Sequence, residues 1–521
     1  ERTAFTVPTV VEELVRRGWT GAKSGRGFYH KTESGEIQAL DLSSLDYRPS
    51  ARPRFASIDV ARNIENTGER IRTLFLGEDK VGELLRSTLA PTLMYAAQVA
   101  PEIAHSPDDV DRAMRWGFGW ELGPFETLRA IGVDHVLDAL GAANDAATRA
   151  TLASAVSPSA PTTTPDQRPD ETNRELPANE PRTREPSTSG LQLLKSAKDR
   201  ERIVRRNAGA SLVDLGDGVL VVEFHSKMNA IGGDTIQMLQ LGVKEAAANF
   251  AALVVANDAQ HFSAGANLML LLLEAQEANW DEVDFMVRAF QQATMALRHA
   301  DVPVVVCPAG LALGGGCEIA LHGDRVQAAA ETYMGLVEVG VGLIPAGGGT
   351  KEMLARAMEE LPAGADTLPF VQRVFETIGF GKVSTSGPDA RRIGYLRAAD
   401  GITMNRDRLL ADARTVALAR VPVYVPASPR TAIAVGGATV LAALKLGVHL
   451  AWRAGRISNH DALIGRKLAW ILAGGDGPGA RTMTEQQLLD LEREAFLSLC
   501  GEQKTQERIA HTLKTGKTLR N

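Results

Sequence analysis

The sequence predicts a multidomain chain: an all-α part, then an α/β part that finishes in C-terminal helices. Three observations carry this. Through residues 58–140, apolar side chains recur at three- and four-residue spacing, the period of an amphipathic helix. From residue 211, short and almost wholly apolar runs alternate with helical patterns, which implies sheets covered by helices. Between them, residues 157–189 are rich in Pro, Ser and Thr and have almost nothing to bury, so packing cannot offset their ordering entropy. A chain of 521 residues also exceeds what one core holds. The boundaries read as a helical domain at 1–145, a linker at 146–200, an α/β core at 201–425 and a helical extension at 426–521.

Taken in order, a helix is expected over Val10–Arg17, followed by a loop with glycines at 18, 21, 25 and 27. Their GxxxGxG spacing is not read as a nucleotide loop. No hydrophobic strand precedes it, and a dinucleotide site needs strand, glycines and helix in that order. It is read as a tight turn, with Phe28 and Tyr29 either a short strand or an aromatic anchor carried into a helical core. VGELLRSTLAPTLMYAAQVAPEIA is the next helix, and Ser106-Pro-Asp-Asp starts another with proline first and acids in the first turn. DDVDRAMRWGFGWELGPFETLRAIG gives a helix, a Gly/aromatic break and a further helix.

In the α/β part, SLVDLGDGVLVVEF reads as two strands around a Gly-Asp-Gly turn. KMNAIGGDTIQMLQLGVKEAAAN is a helix, AALVVAN a strand and DAQHFSAGANL a loop. A long helix, DEVDFMVRAFQQATMALRHA, leads to the strand VPVVVC and then to LALGGGCEIA. After Thr350 the chain is helix-rich, with a polar insertion around 360–390. The tail is strongly helical and basic in its last turns.

Composition narrows the function. A net charge of -6 argues against a general polyanion binder, so nucleic acid is not an expected partner. Cys307, Cys317 and Cys500 lie far apart without a CxxC pair, which fits a reducing cytoplasm and neither a disulfide framework nor a zinc knuckle. No apolar run reaches the ~18–20 residues of a membrane span. The N-terminus shows no signal-peptide core.

The chemistry gathers at glycines. HFSAGANL and LALGGGCE each place small residues where a strand ends and main-chain N–H groups are free to meet a ligand. In GGGCEIA these N–H groups open a helix, whose dipole favours negative charge. Two such groups converging would make an oxyanion hole. Glu318, on the first helical turn, and Glu338, between valines, are then acid/base candidates. Burial near Ile319, Val337, Val339 and Leu343 would raise a carboxyl pKa toward neutrality. Residue spacing alone leaves a plainer pair of readings open, with Glu318 a dipole-stabilising acid and Glu338 an exposed one.

Two family resemblances add to this. GWTGAKSGRGFY and SPDDVDRAMRWGFGWELGPFETLRAIGVD resemble the C-terminal helical domain of 3-hydroxyacyl-CoA dehydrogenases, over about residues 10–140. HFSAGANL, VPVVVCPAGLALGGGCEIALHGD and TYMGLVEVGVGLIPAGGGTKEML resemble the enoyl-CoA hydratase (crotonase) superfamily, over about residues 205–420. The implied fold is an all-α dehydrogenase C-terminal-like domain joined to an α/β crotonase (ClpP/crotonase-like) domain. In the dehydrogenase family the nicotinamide-binding domain precedes the matched region. No dehydrogenase residue is therefore assigned, dehydrogenase activity is not expected from this chain alone, and NAD enters only with a separate dehydrogenase domain.

The crotonase resemblance implies that the oxyanion N–H groups belong to Ala266 and Gly315, and that Glu318 and Glu338 are the two acids of a hydratase. It implies hydration of trans-2-enoyl-CoA, with no metal and no cofactor beyond the CoA-thioester substrate. Ala264, Gly265 and Lys227 fall where the family holds CoA, and Lys514 and Lys517 would reach its phosphates from the C-terminal helix; a solvated lysine is the plain alternative for each. Asn267 stands where Asp is usual, Val337 where Pro is usual, and 351–390 is longer than in simple hydratases. His261 and His322 are read as structural and Cys317 as a packed small residue. The alternatives are a Δ3-Δ2-enoyl-CoA isomerase, or a non-catalytic docking remnant of a β-oxidation complex. Partners implied are an acyl-CoA, a second copy of the chain, or a β-oxidation enzyme such as thiolase.

Overall fold

The computed structural model describes residues 7–156 and 202–521, apart from 33, 34, 51, 52, 63, 65, 144 and 363, together with 194, 197 and 198. The chain divides into two compact units, Glu1–Leu176 and Pro177–Asn521. The expected connector 157–189 lies outside the described residues. Among the described residues, no helix is long and apolar enough to cross a membrane.

The first unit is mainly helical, with its longest helix at Lys80–Ile103. Asp79 caps that helix by accepting from the N–H groups of Val81 and Gly82, and it also binds Ser57. Ser106 caps the helix Pro107–Phe118 as the sequence pattern predicts, and Gly119 closes it in the left-handed conformation. Buried Asp111 explains the Gly/aromatic break that follows. It accepts from Phe125 N (2.7 Å) and Glu126 N (3.1 Å), fastening one helix to the N-terminus of the next. A Cβ on Gly123 would stand 2.3 Å from Asp111 Cα, so only glycine fits there. Phe75, Leu93, Phe125, Leu128, Ile131, Leu137 and Leu152 form the core.

Two expectations for this unit are corrected. Phe28 and Tyr29 are not an anchor into the core; they are 47% and 64% exposed. Tyr29 instead opens the strand Tyr29–Lys31, the other reading of that pair, and this strand forms a three-stranded antiparallel sheet with Ile37–Leu40 and Tyr47–Pro49, which are too short and too polar to stand out in the sequence. The glycine loop is a closed turn in which Gly21 pairs with Arg26 and a Cβ on Gly27 would lie 2.9 Å from Gly21 Cα. The linker was also expected to begin at 146. Ala146–Val156 is a helix whose Leu152 and Ala155 sit in the core.

The second unit is built on a seven-stranded sheet. Its order is Gly401–Thr403, Arg325–Ala329, Val304–Val306, Ala252–Ala256, Val219–Phe224, Ala210–Asp214, Ile203–Arg206. The strands from 219 to 403 pair in parallel, and the two at the 203–214 edge are antiparallel. Alternation within the apolar runs covers both faces. Leu220, Val222, Leu253, Val255, Val304 and Val306 face the large core. Val219, Val221, Ala252, Val254 and Val305 face a smaller one, closed by Leu409, Ala413 and Ala417 and by Leu194 and Ala197. Packing thus reaches upstream of the expected boundary at 201. The expected break at 425/426 is also crossed, because Val440, Leu468, Leu488 and Leu499 share one core with the sheet. A second, two-stranded parallel sheet, Gly310–Leu313 with Thr332–Gly335, carries the chain from the main sheet into the candidate site.

Candidate functional site

The site forms where two segments run side by side. Ser263 bridges Ala312 in parallel, and Leu313 N donates to Ser263 O at 3.0 Å. Three residues further along each segment lie Ala266 and Gly315. Ile231 N donates to Gly265 O (2.9 Å) and Asn267 N to Ile231 O (3.0 Å), which turns the Ala266 N–H away from that pairing. Among the described residues, no protein group accepts from the N–H of Ala266 or of Gly315.

Sterics explain the three glycines. Gly314 has φ 51°, and a Cβ there would lie 3.1 Å from Glu338 Oε1. A Cβ on Gly315 would meet Ile231 Cδ1 at 3.1 Å and Phe290 Cζ at 3.2 Å, and one on Gly316 would meet Ser263 Cβ at 2.7 Å. The run is bare because backbone, acid and aromatic ring converge on it.

Glu318 sits on the first turn of the helix Gly315–Leu321 and is only 3% exposed. Its Oε1 accepts from Gly347 N and Gly349 N, both at 2.8 Å. Burial pushes its pKa up to about 7 despite these donors and nearby Lys351. It is therefore no exposed dipole-stabilising acid. Glu338 opens the turn Glu338–Val341. Its Oε2 is buried and has no hydrogen-bond partner among the described residues. Burial first, and then the charge of Glu318, hold its pKa well above the usual carboxylate range. Two acids whose pKa values burial pushes up thus share one apolar site beside two unpartnered N–H groups.

The remaining candidates are placed as follows. Lys227 is exposed, next to Met228, whose carbonyl accepts from Ala264 N at 3.2 Å, so the Lys227 turn and the Ala264–Ala266 loop are brought together. Gly265, at φ 103°, lets that loop pass Leu313 O closely. Asn267 caps the following helix by accepting from Met269 N. Lys514 and Lys517 are exposed at the end of the helix Gln503–Thr515. That helix reaches the Glu338 turn through Arg508, which donates to Val339 O at 3.4 Å, and through Thr505, which donates to Gly342 O at 2.9 Å.

Both ring nitrogens of His322 have partners within the protein. Its Nδ1 lies 2.7 Å from Glu318 O and its Nε2 3.1 Å from Lys351 Nζ. Burial and Lys351 lower its pKa to about 3, so it is neutral. The lysine ammonium then donates to Nε2, and Nδ1–H donates to Glu318 O. His261 is likewise internal, with Nδ1 accepting from Leu311 N at 3.2 Å. Cys317 is buried and its thiol is pushed well up by desolvation. No group of three or more His, Cys, Asp or Glu side chains able to hold a metal occurs among the described residues.

Sequence reasoning passed over Glu492 and the buried cluster around Lys351. Glu492 is fully buried and accepts from Gly348 N (2.9 Å) and Lys351 N (2.5 Å). Lys351 Nζ meets Glu352 Oε2 at 3.1 Å and Glu485 Oε1 at 3.4 Å, and Arg430 binds the same two acids. A signal was present: Leu488, Leu489, Glu492, Ala495 and Leu499 fall on one helical stripe, which places an acid at a core position.

Comparison with known proteins gives two family matches. Residues 214–363 match the enoyl-CoA hydratase/isomerase family, and residues 84–163 match the 3-hydroxyacyl-CoA dehydrogenase C-terminal domain. A Bacillus subtilis (strain 168) protein named "Probable 3-hydroxyacyl-CoA dehydrogenase" is 39% identical over 100% of this chain and 65% of its own length. A Rickettsia felis protein, provisionally named a fatty acid oxidation complex trifunctional enzyme, is 25% identical over 97% of this chain and 62% of its own length. The chain therefore spans somewhat less than two thirds of each of these relatives. The crystal structure of an enoyl-CoA hydratase from Bacillus halodurans aligns with 58% of this chain and 99% of its own, at TM-score 0.40 and 15% identity.

Proposed function

Because this chain joins a 3-hydroxyacyl-CoA dehydrogenase C-terminal domain to a crotonase-fold enoyl-CoA hydratase/isomerase domain, we propose that it hydrates trans-2-enoyl-CoA to 3-hydroxyacyl-CoA in fatty-acid β-oxidation. The observation that supports this most is the pair of acids whose pKa values burial pushes up, Glu318 to about 7 and Glu338 well above the usual carboxylate range, beside the free N–H groups of Ala266 and Gly315.

In this reading the thioester oxygen accepts from both N–H groups, which stabilise the charge of an enolate as it forms. A water lies between Glu318 and Glu338. Glu318, with Oε1 already held by two amides, takes a proton from that water on Oε2 as the oxygen attacks C3. Glu338, whose carboxyl is held well above the usual carboxylate range by burial and by the charge of Glu318, delivers its proton to C2. One water is added across the double bond. A proton passed from Glu318 to Glu338 restores the starting states. The loop at Ala264 and Gly265 and the turn at Lys227 receive the CoA chain, and Lys514 and Lys517 face its phosphates.

Oxidation of the hydroxyacyl product, the activity named for the Bacillus relative, uses NAD. No residue of this chain is assigned to that oxidation.

Loss of the enoyl-thioester absorbance of crotonyl-CoA tests the proposal. Glu318→Gln and Glu338→Gln should each lower the rate by about 10²–10⁴-fold. An inactive wild type, or two fully active variants, would sink it. A wild type that converts 3-enoyl-CoA but leaves crotonyl-CoA untouched would make the isomerase reading correct.

A further inference from the structure

Glu492 is a carboxylate with no solvent exposure, brought in by a helix more than 140 residues beyond the site acids. The ion pairs of its neighbourhood go to other acids: Lys351 Nζ binds Glu352 and Glu485. A buried carboxylate is a costly way to fill a core position, so its oxygens must be used elsewhere. They are used on the glycine loop. Between residues 347 and 351, four main-chain N–H groups point at two carboxylates: those of Gly347 and Gly349 at Glu318, and those of Gly348 and Lys351 at Glu492. The two acids grip one flexible segment from opposite sides. Three glycines in a row cannot hold their own conformation. Larger residues do not fit, since a Cβ on Gly347 would lie 2.3 Å from Phe290 Cε1 and one on Gly348 2.9 Å from His322 Cε1.

We propose that Glu492 is a positioning residue for Glu318, acting through the Gly347–Lys351 loop. It fixes the two amides that hold Glu318 Oε1 and so aims Oε2 at the reacting water. This rests on the hydratase reading above. The ionisable groups that face the pair are Cys317, His322 and Lys351, together with Glu338, which feels the charge of Glu492.

The test is Glu492→Gln in the full chain, which replaces one acceptor oxygen by an amide NH2 facing a main-chain N–H. Two readouts are needed. Hydrogen exchange of the 347–351 amides should speed up by at least about 10-fold relative to the wild type. In crotonyl-CoA hydration, kcat should fall by about 10–100-fold with KM nearly unchanged, and the pH at half-maximal rate on the ascending limb should rise. The direction is diagnostic. Losing amide donors from ionised Glu318 raises its pKa, whereas merely removing an acidic neighbour leaves it unchanged or lowers it. Glu492→Asp keeps the carboxyl group but withdraws it by one methylene, and it decides the matter if the Gln variant does not fold. Wild-type exchange together with an unshifted or lowered pH limb in a folded variant would overturn the proposal. A wild type inactive on crotonyl-CoA would fail the hydratase reading instead, and the exchange result would still decide whether Glu492 holds the loop.

Discussion

Replacing Glu318 by Gln should destroy activity and stabilise the second unit, and the gain should depend on pH. In the folded chain the carboxyl is held at about 7, against an ordinary 4.5. The native state therefore binds more protons than the unfolded chain between these values, and stability falls as pH rises through this window. Integrating over the shift, ionising Glu318 costs about 1 kcal/mol at pH 5 and about 3 kcal/mol at pH 8. Glutamine has nearly the same shape, and its oxygen can still accept from Gly347 and Gly349, so the variant avoids that cost. Urea unfolding of the second unit at pH 5 and pH 8 measures it. The Gln variant should gain little over the wild type at pH 5 and about 3 kcal/mol at pH 8. The first unit, which lacks Glu318, serves as an internal control. A variant no more stable than the wild type at pH 8, or offset equally at both pH values, would show that burial does not tax this carboxylate as the geometry requires.

Further outcomes follow from the same contacts. For crotonyl-CoA hydration, kcat/KM should rise about 10-fold from pH 6 to pH 8 as Glu318 goes from about one-tenth to about nine-tenths ionised; a flat profile would remove it as the base. Gly347→Ala should cost about 1–3 kcal/mol in denaturant unfolding and most of the activity, because its methyl would meet Phe290 at 2.3 Å and Glu318 Oε2 at 2.9 Å. Lys351→Met should cost about 3 kcal/mol by leaving Glu485 and Glu352 short of a buried cation, with Arg430 retained as partial compensation. Asp111→Asn should destabilise the first unit by about 1–3 kcal/mol, as one of the two helix N-terminal amides it binds loses its acceptor.

Periodicity made the large elements legible. The apolar runs at 219–224, 252–256 and 304–306 became central strands because their two faces are both buried, and the Gly-Asp-Gly turn at 216–218 folded as read, with all three residues at positive φ. A short strand at Tyr29 was legible from its aromatic pair, but its partners at 37–40 and 47–49 were invisible, since three or four residues without alternation carry no period. The helix at 146–156 was lost to its alanine-rich, Ser/Thr-containing sequence, which reads as linker until Leu152 and Ala155 are seen buried.

At the site the sequence displayed the acids but not what governs them. Glu318 and Glu338 were visible as charges in apolar surroundings, and the glycines as bare backbone. The surroundings that raise their pKa values come from partners that no local pattern links to them. Gly347 and Gly349 lie 29 and 31 residues beyond Glu318, and Glu492 lies 144 residues beyond Gly348. The glycines at 347–349 looked like a second loop of the kind at 314–316, yet the two runs do opposite work. The first leaves the Gly315 N–H without a protein acceptor, and in the proposed hydration that N–H receives the charge of the enolate. The second has its N–H groups already taken by the carboxyl groups of Glu318 and Glu492, so it acts on the proposed base before any substrate arrives. An oxyanion hole must be empty to function and a carboxylate grip must be filled. Composition cannot tell these apart; only the acceptors, contributed from distant parts of the chain, do so.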